Sequence, residues 1–238
     1  MNAGWIGLAL LAAVGHYRPT EQTDPALKEQ AQPVRERDPA RAILYFGRGN
    51  DLVNENKLEA AIEQYRRAAA YDPLNPNIFV NLGYVLDRLG RYDQALAELE
   101  RARQIMPDND MVWLNIGNTL INLKKYEDAL APLQKCLALA PSNHQARVNL
   151  TVVYHALHRF RDAAAEFARL SAANPDDVHL RFNYAAALST AGDHDHAIAQ
   201  YRRVIELAPR YLPAYINSAV LLEKQNRRAE AAAPKSPN

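Results

Sequence analysis

The sequence predicts an all-α chain, a solenoid of stacked helix–turn–helix units, and three observations carry that prediction. Pro73, Pro107, Pro141, Pro175 and Pro209 recur at a constant step of 34 residues (107 − 73, 141 − 107 and so on), and a fixed period of this size marks stacked structural units. The stretch from Trp113 to Pro141 reads as two amphipathic helices joined by a tight turn. Trp113, Ile116, Gly117 and Leu120 form the apolar stripe of the first, and Ala129, Leu133, Cys136 and Leu137 that of the second. Spacings of three and four put such residues on one face, which must be buried against something, so the pair must recur. Only 9 of the 238 residues are glycine, and the remaining patterns favour helix.

Composition narrows the function classes. Hydrophobic residues make up 48% and charged residues 23%, ordinary for a folded domain. A net charge of +1 gives no electrostatic case for binding nucleic acid or an anionic membrane. The single cysteine, Cys136, cannot form an internal disulfide, and its place on the apolar stripe reads as a small buried hydrophobe rather than a reactive thiol.

Taken in order, residues 3–15 (AGWIGLALLAAVG) form an uncharged apolar run, shorter than the ~20 residues a membrane-spanning helix requires. With Ala13-Val14-Gly15 as a small-residue cleavage site, the run fits a signal or anchor segment. With no Lys or Arg before it, it fits equally a helix docking on the protein. Any membrane contact is expected through residues 3–15, and the compartment stays open. Residues 16–41 carry Pro19, Pro25, Pro33 and Pro39 among charged and polar residues and read as a linker.

The repeats occupy 42–226: units 42–75, 76–109, 110–143, 144–177 and 178–211, then a sixth first helix over 212–226. Numbering each unit from its first residue, position 8 holds Gly49, Gly83, Gly117, Thr151, Ala185 and Ala219, and position 20 holds Ala61, Ala95, Ala129, Ala163 and Ala197. Small residues at both places let the two helices of a unit approach closely. Position 24 supplies the bulky partners Tyr65, Leu99, Leu133, Phe167 and Tyr201, and position 4 holds Tyr45, Phe79, Trp113, Arg147, Arg181 and Tyr215.

This set resembles the tetratricopeptide repeat (TPR) family, a 34-residue helix–turn–helix whose units stack into a right-handed α-solenoid. The resemblance covers residues 42 to about 225. Arg147 and Arg181 in place of the aromatic, and Thr151 in place of glycine, depart from the pattern and predict looser packing in unit four.

Turn chemistry agrees independently. Position 15 holds Asn56, Gly90, Lys124, His158, Gly192 and Asn226, and a left-handed helix stop favours Gly and Asn, tolerates His, and leaves Lys124 as the misfit. Acids open each second helix (Glu59, Asp93, Glu127, Asp162, Asp195), at the positive end of its dipole. Pro132 falls inside a second helix, where a kink is expected. Beyond Glu223 the pattern fails. The sixth first helix either caps unit five or belongs to a longer array, and 227–238 reads as a tail.

Catalytic signatures are missing: there is no P-loop, GxSxG, HExxH or paired CxxC, and the chain is expected to be non-catalytic and to need no cofactor or metal. Gly47-Arg48-Gly49 lies in a helical pattern with no preceding strand. Asp193-His194-Asp195-His196 is read as a cap and first helical turn rather than a metal site. His155 and His179 are placed where they approach on the inner surface.

The TPR resemblance implies that first helices line a concave groove through positions 2, 5, 6, 9, 12 and 13. Position 6 holds Asn81, Asn115, Asn149, Asn183 and Asn217. Position 5 is apolar throughout (Phe46, Val80, Leu114, Val148, Phe182, Ile216), and position 9 adds Asn50, Tyr84 and Asn118. Side-chain amides can pair with an extended peptide backbone, and the apolar row can hold its alternate side chains. The row resembles the asparagine ladder in the TPR arm of O-linked N-acetylglucosamine transferases; asparagines that satisfy local polar groups are the alternative. An apolar position 5 lacks the cationic pattern that clamps a C-terminal carboxylate. These readings imply a scaffold that binds a protein or peptide segment, centred on unit three, where Asn115, Asn118 and Asn122 share the groove side. The substrate-recruiting arm of a larger enzyme, or a scaffold assembling through its array ends, are the alternatives.

Overall fold

The structure is a computed structural model that describes residues 37–227. Those residues form eleven α-helices and no strand: α1 (Pro39–Asn54), α2 (Leu58–Tyr71), α3 (Pro76–Arg88), α4 (Tyr92–Ile105), α5 (Asp110–Asn122), α6 (Tyr126–Leu139), α7 (His144–Ala156), α8 (Phe160–Ala173), α9 (Val178–Thr190), α10 (His194–Leu207) and α11 (Leu212–Lys224). Each helix packs on its predecessor and successor, and the first helices of units two, three and four also touch one another. The fold is an all-α repeat solenoid. The expectations for residues 3–15, for most of the 16–41 linker and for the tail beyond Arg227 lie outside the described residues. Among those residues no helix is long and apolar enough to cross a membrane. Helix α1 begins at Pro39, ahead of residue 42, because Asp38 caps the Arg41 amide at 3.0 Å and Pro39 suits a first helical turn.

Start and stop chemistry repeats in register. Position 34 of one unit caps the first helix of the next: Asn75, Asn109, Asn143 and Asp177 accept from backbone N–H groups in the following turn. Every first helix ends in the same doubly bonded stop. The position 16 amide donates to the position 11 carbonyl, from Lys57 to Leu52 at 2.8 Å through Arg227 to Leu222 at 2.8 Å, and the position 15 amide donates to position 12. This is the Schellman arrangement, which requires a left-handed residue at position 15. All six residues there have positive φ, Lys124 (59°) included. Lys124 therefore keeps the register in spite of its Cβ. Helix α6 continues through the buried Pro132.

Within each pair, a glycine meets a bulky side chain. A Cβ built on Gly49 would lie 2.5 Å from Tyr65, on Gly83 2.7 Å from Leu99, and on Gly117 2.6 Å from Leu133. These are the position 8 and position 24 partners, and all three bulky residues are fully buried. In unit four Thr151 takes the small position, its hydroxyl donating to Val148 O at 2.7 Å, and Phe167 is only half-buried. That part of the looser packing is present.

The arginines at position 4 correct the rest of the expectation. Trp113 Nε1 donates to Pro107 O (2.6 Å), Arg147 Nη2 to Pro141 O (2.8 Å), Arg181 Nη2 to Pro175 O (2.9 Å) and Tyr215 Oη to Pro209 O (3.1 Å). In these four units position 4 supplies a long side chain whose terminal donor reaches the proline carbonyl ending the previous unit, whereas Phe79 fills the position as a fully buried ring. Arg147 also pairs with Glu166 at 2.6 Å, and Glu166, 7% exposed, takes Arg169 on its other oxygen.

Three outcomes test this account by urea unfolding. Lys124→Gly is expected to stabilise by about 0.5–1 kcal/mol, because it removes a left-handed Cβ. Gly117→Val is expected to cost about 1–3 kcal/mol through overpacking against Leu133. Arg147→Met is expected to cost about 1–3 kcal/mol, because it strips a donor from the Pro141 carbonyl and from a buried carboxylate.

Candidate functional site

The five position 6 asparagines are alike in sequence but not in surroundings. Tyr65 Oη donates to Asn50 Oδ1 at 2.7 Å, and Asn81 Nδ2 donates to the same oxygen at 3.0 Å. Asn217 Nδ2 donates to Tyr201 Oη at 3.2 Å. In both cases position 24 of the preceding unit is a tyrosine whose hydroxyl needs a partner. Burial raises the pKa of the Tyr65 and Tyr201 hydroxyls, so both remain protonated at neutral pH.

Where position 24 is Leu or Phe, the asparagine goes elsewhere. Asn115 Nδ2 donates to Met111 O in its own helix at 2.8 Å. Asn149 donates to Asn118 Oδ1 and accepts from Gln145 Nε2 at 3.0 Å. Asn183 follows Phe167 at position 24 and Val152 at position 9, neither of which offers a polar atom. Its amide is exposed and has no partner among the described residues. Asn122 Nδ2 donates to Asp87 Oδ2 at 2.9 Å, while Asp87 Oδ1 is buried without a donor. All three unit-three asparagines that share this face are thus engaged.

Apolar site residues also divide. Leu114 is buried in the core and Val148 is half-buried. Phe182 is held between the rings of Tyr201 and Tyr211, at 5.5 and 5.2 Å. Tyr84 is 45% exposed, with the Arg88 guanidinium 5.8 Å from its ring. Among the described residues, six of the nine exposed large apolar side chains on first helices fall at positions 2, 5 and 9 (Ile43, Tyr84, Met111, Val152, Ile216 and Val220), and Leu44, Leu212 and Tyr215 lie at other positions. In units one to five only Asp87 and Arg88 carry a charge at positions 2, 5, 6, 9, 12 and 13, although 23% of the whole chain is charged. Sequence reading missed this depletion, which tabulating those six positions would have shown.

The histidines, Asp193 and Cys136 that the sequence singles out sit in structural surroundings. His155 meets the Phe160 ring and His179 the Tyr211 ring, each edge-on, so the two histidines have separate neighbours. Asp193 caps α10 by accepting from His196 N and from His196 Nδ1 at 2.8 Å. That hydrogen bond holds its carboxyl below the usual range. Among the described residues no group of three or more His, Cys, Asp or Glu side chains is placed to hold a metal. Cys136 is fully buried, and burial, with a smaller contribution from Asp110, pushes its thiol up to about 11.

The chain can now be set beside known proteins. Comparison with the curated proteins finds no sequence match. Solved structures share its fold. YrrB, described as a TPR protein with an unusual peptide-binding site, is 21% identical, covering 71% of this chain and 87% of that one with a TM-score of 0.62. MamA from Desulfovibrio magneticus RS-1 is 20% identical, covering 72% of this chain and 97% of that one with a TM-score of 0.64. The first TPR domain of Spaghetti (RPAP3), bound to the HSP90 peptide SRMEEVD, is 24% identical over 52% of this chain and 98% of that one, with a TM-score of 0.51. Tetratricopeptide repeat models match residues 46–110, 120–189 and 178–211, the last coinciding with the fifth unit marked out by the prolines. The chain belongs to the tetratricopeptide repeat family.

Proposed function

We propose that this chain is a non-catalytic protein–protein interaction scaffold that holds an extended, largely uncharged segment of another protein along the first-helix face. One observation carries the reading: exposed large apolar side chains collect at positions 2, 5 and 9 of the first helices, on a face nearly stripped of charge. Water-exposed apolar groups clustered on one face gain by being covered, and depletion of charge is the compositional mark of interface cores. Two neighbours of the same fold support it through what they bind: YrrB has a peptide-binding site, and the RPAP3 domain holds an HSP90 peptide. The latter peptide is acidic, whereas this face offers Arg88 beside Asp87 and no cationic row.

The amides fit a more selective role than a uniform ladder. Asn183 has both its donor and its acceptor free for a peptide backbone, whereas Asn81, Asn115, Asn149 and Asn217 have committed one N–H each. The centre of binding therefore moves from unit three towards units four and five, around Val152 and Asn183.

The test is capture of partners by the full chain, followed by titration of the captured protein. Tyr84→Asp combined with Val152→Asp is expected to weaken binding at least tenfold with unchanged far-ultraviolet circular dichroism. Asn183→Ala is expected to cost about 1 kcal/mol of affinity and Asn115→Ala much less. Equal affinity for the Tyr84/Val152 double variant and the parent would refute the groove.

A further inference from the structure

The last described helix, α11, carries an open apolar face. Leu212 is 68% and Ile216 60% exposed, and Tyr215 and Val220 are exposed beside them. Ala214, Ser218, Leu221 and Leu222, on the side that meets α10, are buried. In every full unit the residues at positions 4, 5 and 8 are buried or half-buried, because the unit's second helix covers them, as Tyr65, Leu99 and Leu133 cover their glycines. In unit six Tyr215 and Ile216 are exposed and Ala219 is half-buried. The sequence offers no equivalent cover in register. Positions 23 and 24 of unit six are Pro234 and Lys235, where full units carry Tyr, Leu or Phe at position 24.

The face has a register of its own. Leu212, Ile216, Ala219 and Glu223 follow one another at steps of four, three and four, which aligns them along one side of the helix. Such a stripe is complementary to itself when a second copy crosses it antiparallel. Ile216 then meets Ala219 of the second copy, twice about the two-fold axis. Each meeting sets a bulky residue against a small one, the contact type that closes units one to three. Leu212 falls along the aliphatic stem of Glu223 of the second copy. Charge selects the same direction. The exposed Arg210 precedes the stripe and the exposed Glu223 ends it, so antiparallel pairing sets cation near anion at both ends. Parallel pairing would set like charges together.

The other end of the array offers no match. Positions 3, 7, 10 and 14 of unit two, which stack on unit one, are Ile78, Leu82, Val85 and Leu89. In α1 the same positions are Leu44, Arg48, Asp51 and Glu55, three of them charged. Head-to-tail stacking would bury those charges.

We propose that α11 is a dimerisation face whose occupant is α11 of a second copy, lying antiparallel across it. Each chain thereby supplies the helix that closes the sixth unit of the other. The exposed side chains cover roughly half of the area that one partner contributes to a standard interface, so the dimer forms reversibly and depends on concentration. Ile216 and Val220 also stand at groove positions, but Leu212, Tyr215 and Ala219 do not, and the pairing does not depend on the proposed groove.

The experiment is sedimentation velocity of the full chain from low-micromolar to millimolar concentration. The average mass is expected to rise from one chain towards two. Leu212→Asp with Ala219→Glu places charge on the centre of the stripe, the aspartate at a helix N-terminus where it suits the dipole. This variant is expected to raise the dissociation constant at least tenfold with unchanged far-ultraviolet circular dichroism. Orientation is read by disulfide trapping. Leu212→Cys and Glu223→Cys chains mixed in equal amounts are expected to form a mixed disulfide, and Leu212→Cys alone far less, while the fully buried Cys136 stays out of the exchange. Should the double variant lose its helical signal, Leu212→Asp alone and the cysteine pair decide in its place. A monomer at millimolar concentration overturns the proposal and leaves the face to a partner of another kind. Equal association of the parent and the double variant overturns it by assigning the contact to another surface. Trapping of Leu212→Cys alone as fast as the mixture overturns the antiparallel pairing.

Discussion

The contact on which everything else rests is the meeting of a small residue at position 8 with a bulky one at position 24. Gly49 against Tyr65, Gly83 against Leu99 and Gly117 against Leu133 bring two helix axes close enough that neither apolar stripe stays wet. The burial of Tyr65, Leu99 and Leu133 is worth about 1.5–3 kcal/mol each by apolar area, and it is available only while the facing position lacks a side chain. Once the pair is closed, its outer faces present the surfaces on which the next pair stacks. The left-handed stop at position 15 turns the chain tightly enough for that contact to form between neighbours in sequence. Local chemistry thereby produces long-range order through contacts within a unit and between adjacent units.

The asparagine row shows how one residue type acquires different tasks in a repeating frame. Each position 6 amide sits among the same backbone neighbours, yet its partner is chosen by the side chain 16 residues earlier in register, as in Tyr65 with Asn81 and Tyr201 with Asn217. A tyrosine hydroxyl there is buried and must be satisfied, so the amide turns to it or to an intermediary such as Asn50. Where the earlier residue is leucine or phenylalanine, the amide is released to its own helix, to a neighbouring asparagine or, at Asn183, to solvent.

Much of the fold was legible because its determinants are local. Prolines at position 32 and stops at position 15 act within a few residues of where they stand, and small residues at positions 8 and 20 act within their own unit. Lys124 looked out of place because side-chain preference was weighed without the two backbone hydrogen bonds that hold the turn whatever residue occupies it. Arg147 and Arg181 looked disruptive because the family pattern is written as aromatic, whereas their guanidinium groups make the same bond to a proline carbonyl that Trp113 and Tyr215 make. The site was less legible for a different reason. Whether Asn115 or Asn183 is free depends on residues across a unit junction, and the row reads as uniform until each asparagine is set beside its own tyrosine, leucine or phenylalanine.

The junction between units four and five bears on how the array holds together. In a chain of units that touch only their neighbours, cooperativity is transmitted junction by junction, and the whole is as concerted as its poorest link. This link has Ala164 and Ala191 where the three preceding junctions have leucine or isoleucine. It is held by Arg181, which donates to the Pro175 carbonyl and to Gln200 Oε1, and its two helices lie against each other more closely than those of the other junctions. Ala164 and Ala191 let the backbones close up, so the loss of branched side chains is offset by closer approach. The junction runs between Val152 and Asn183, and its close fit holds the spacing of those two groups.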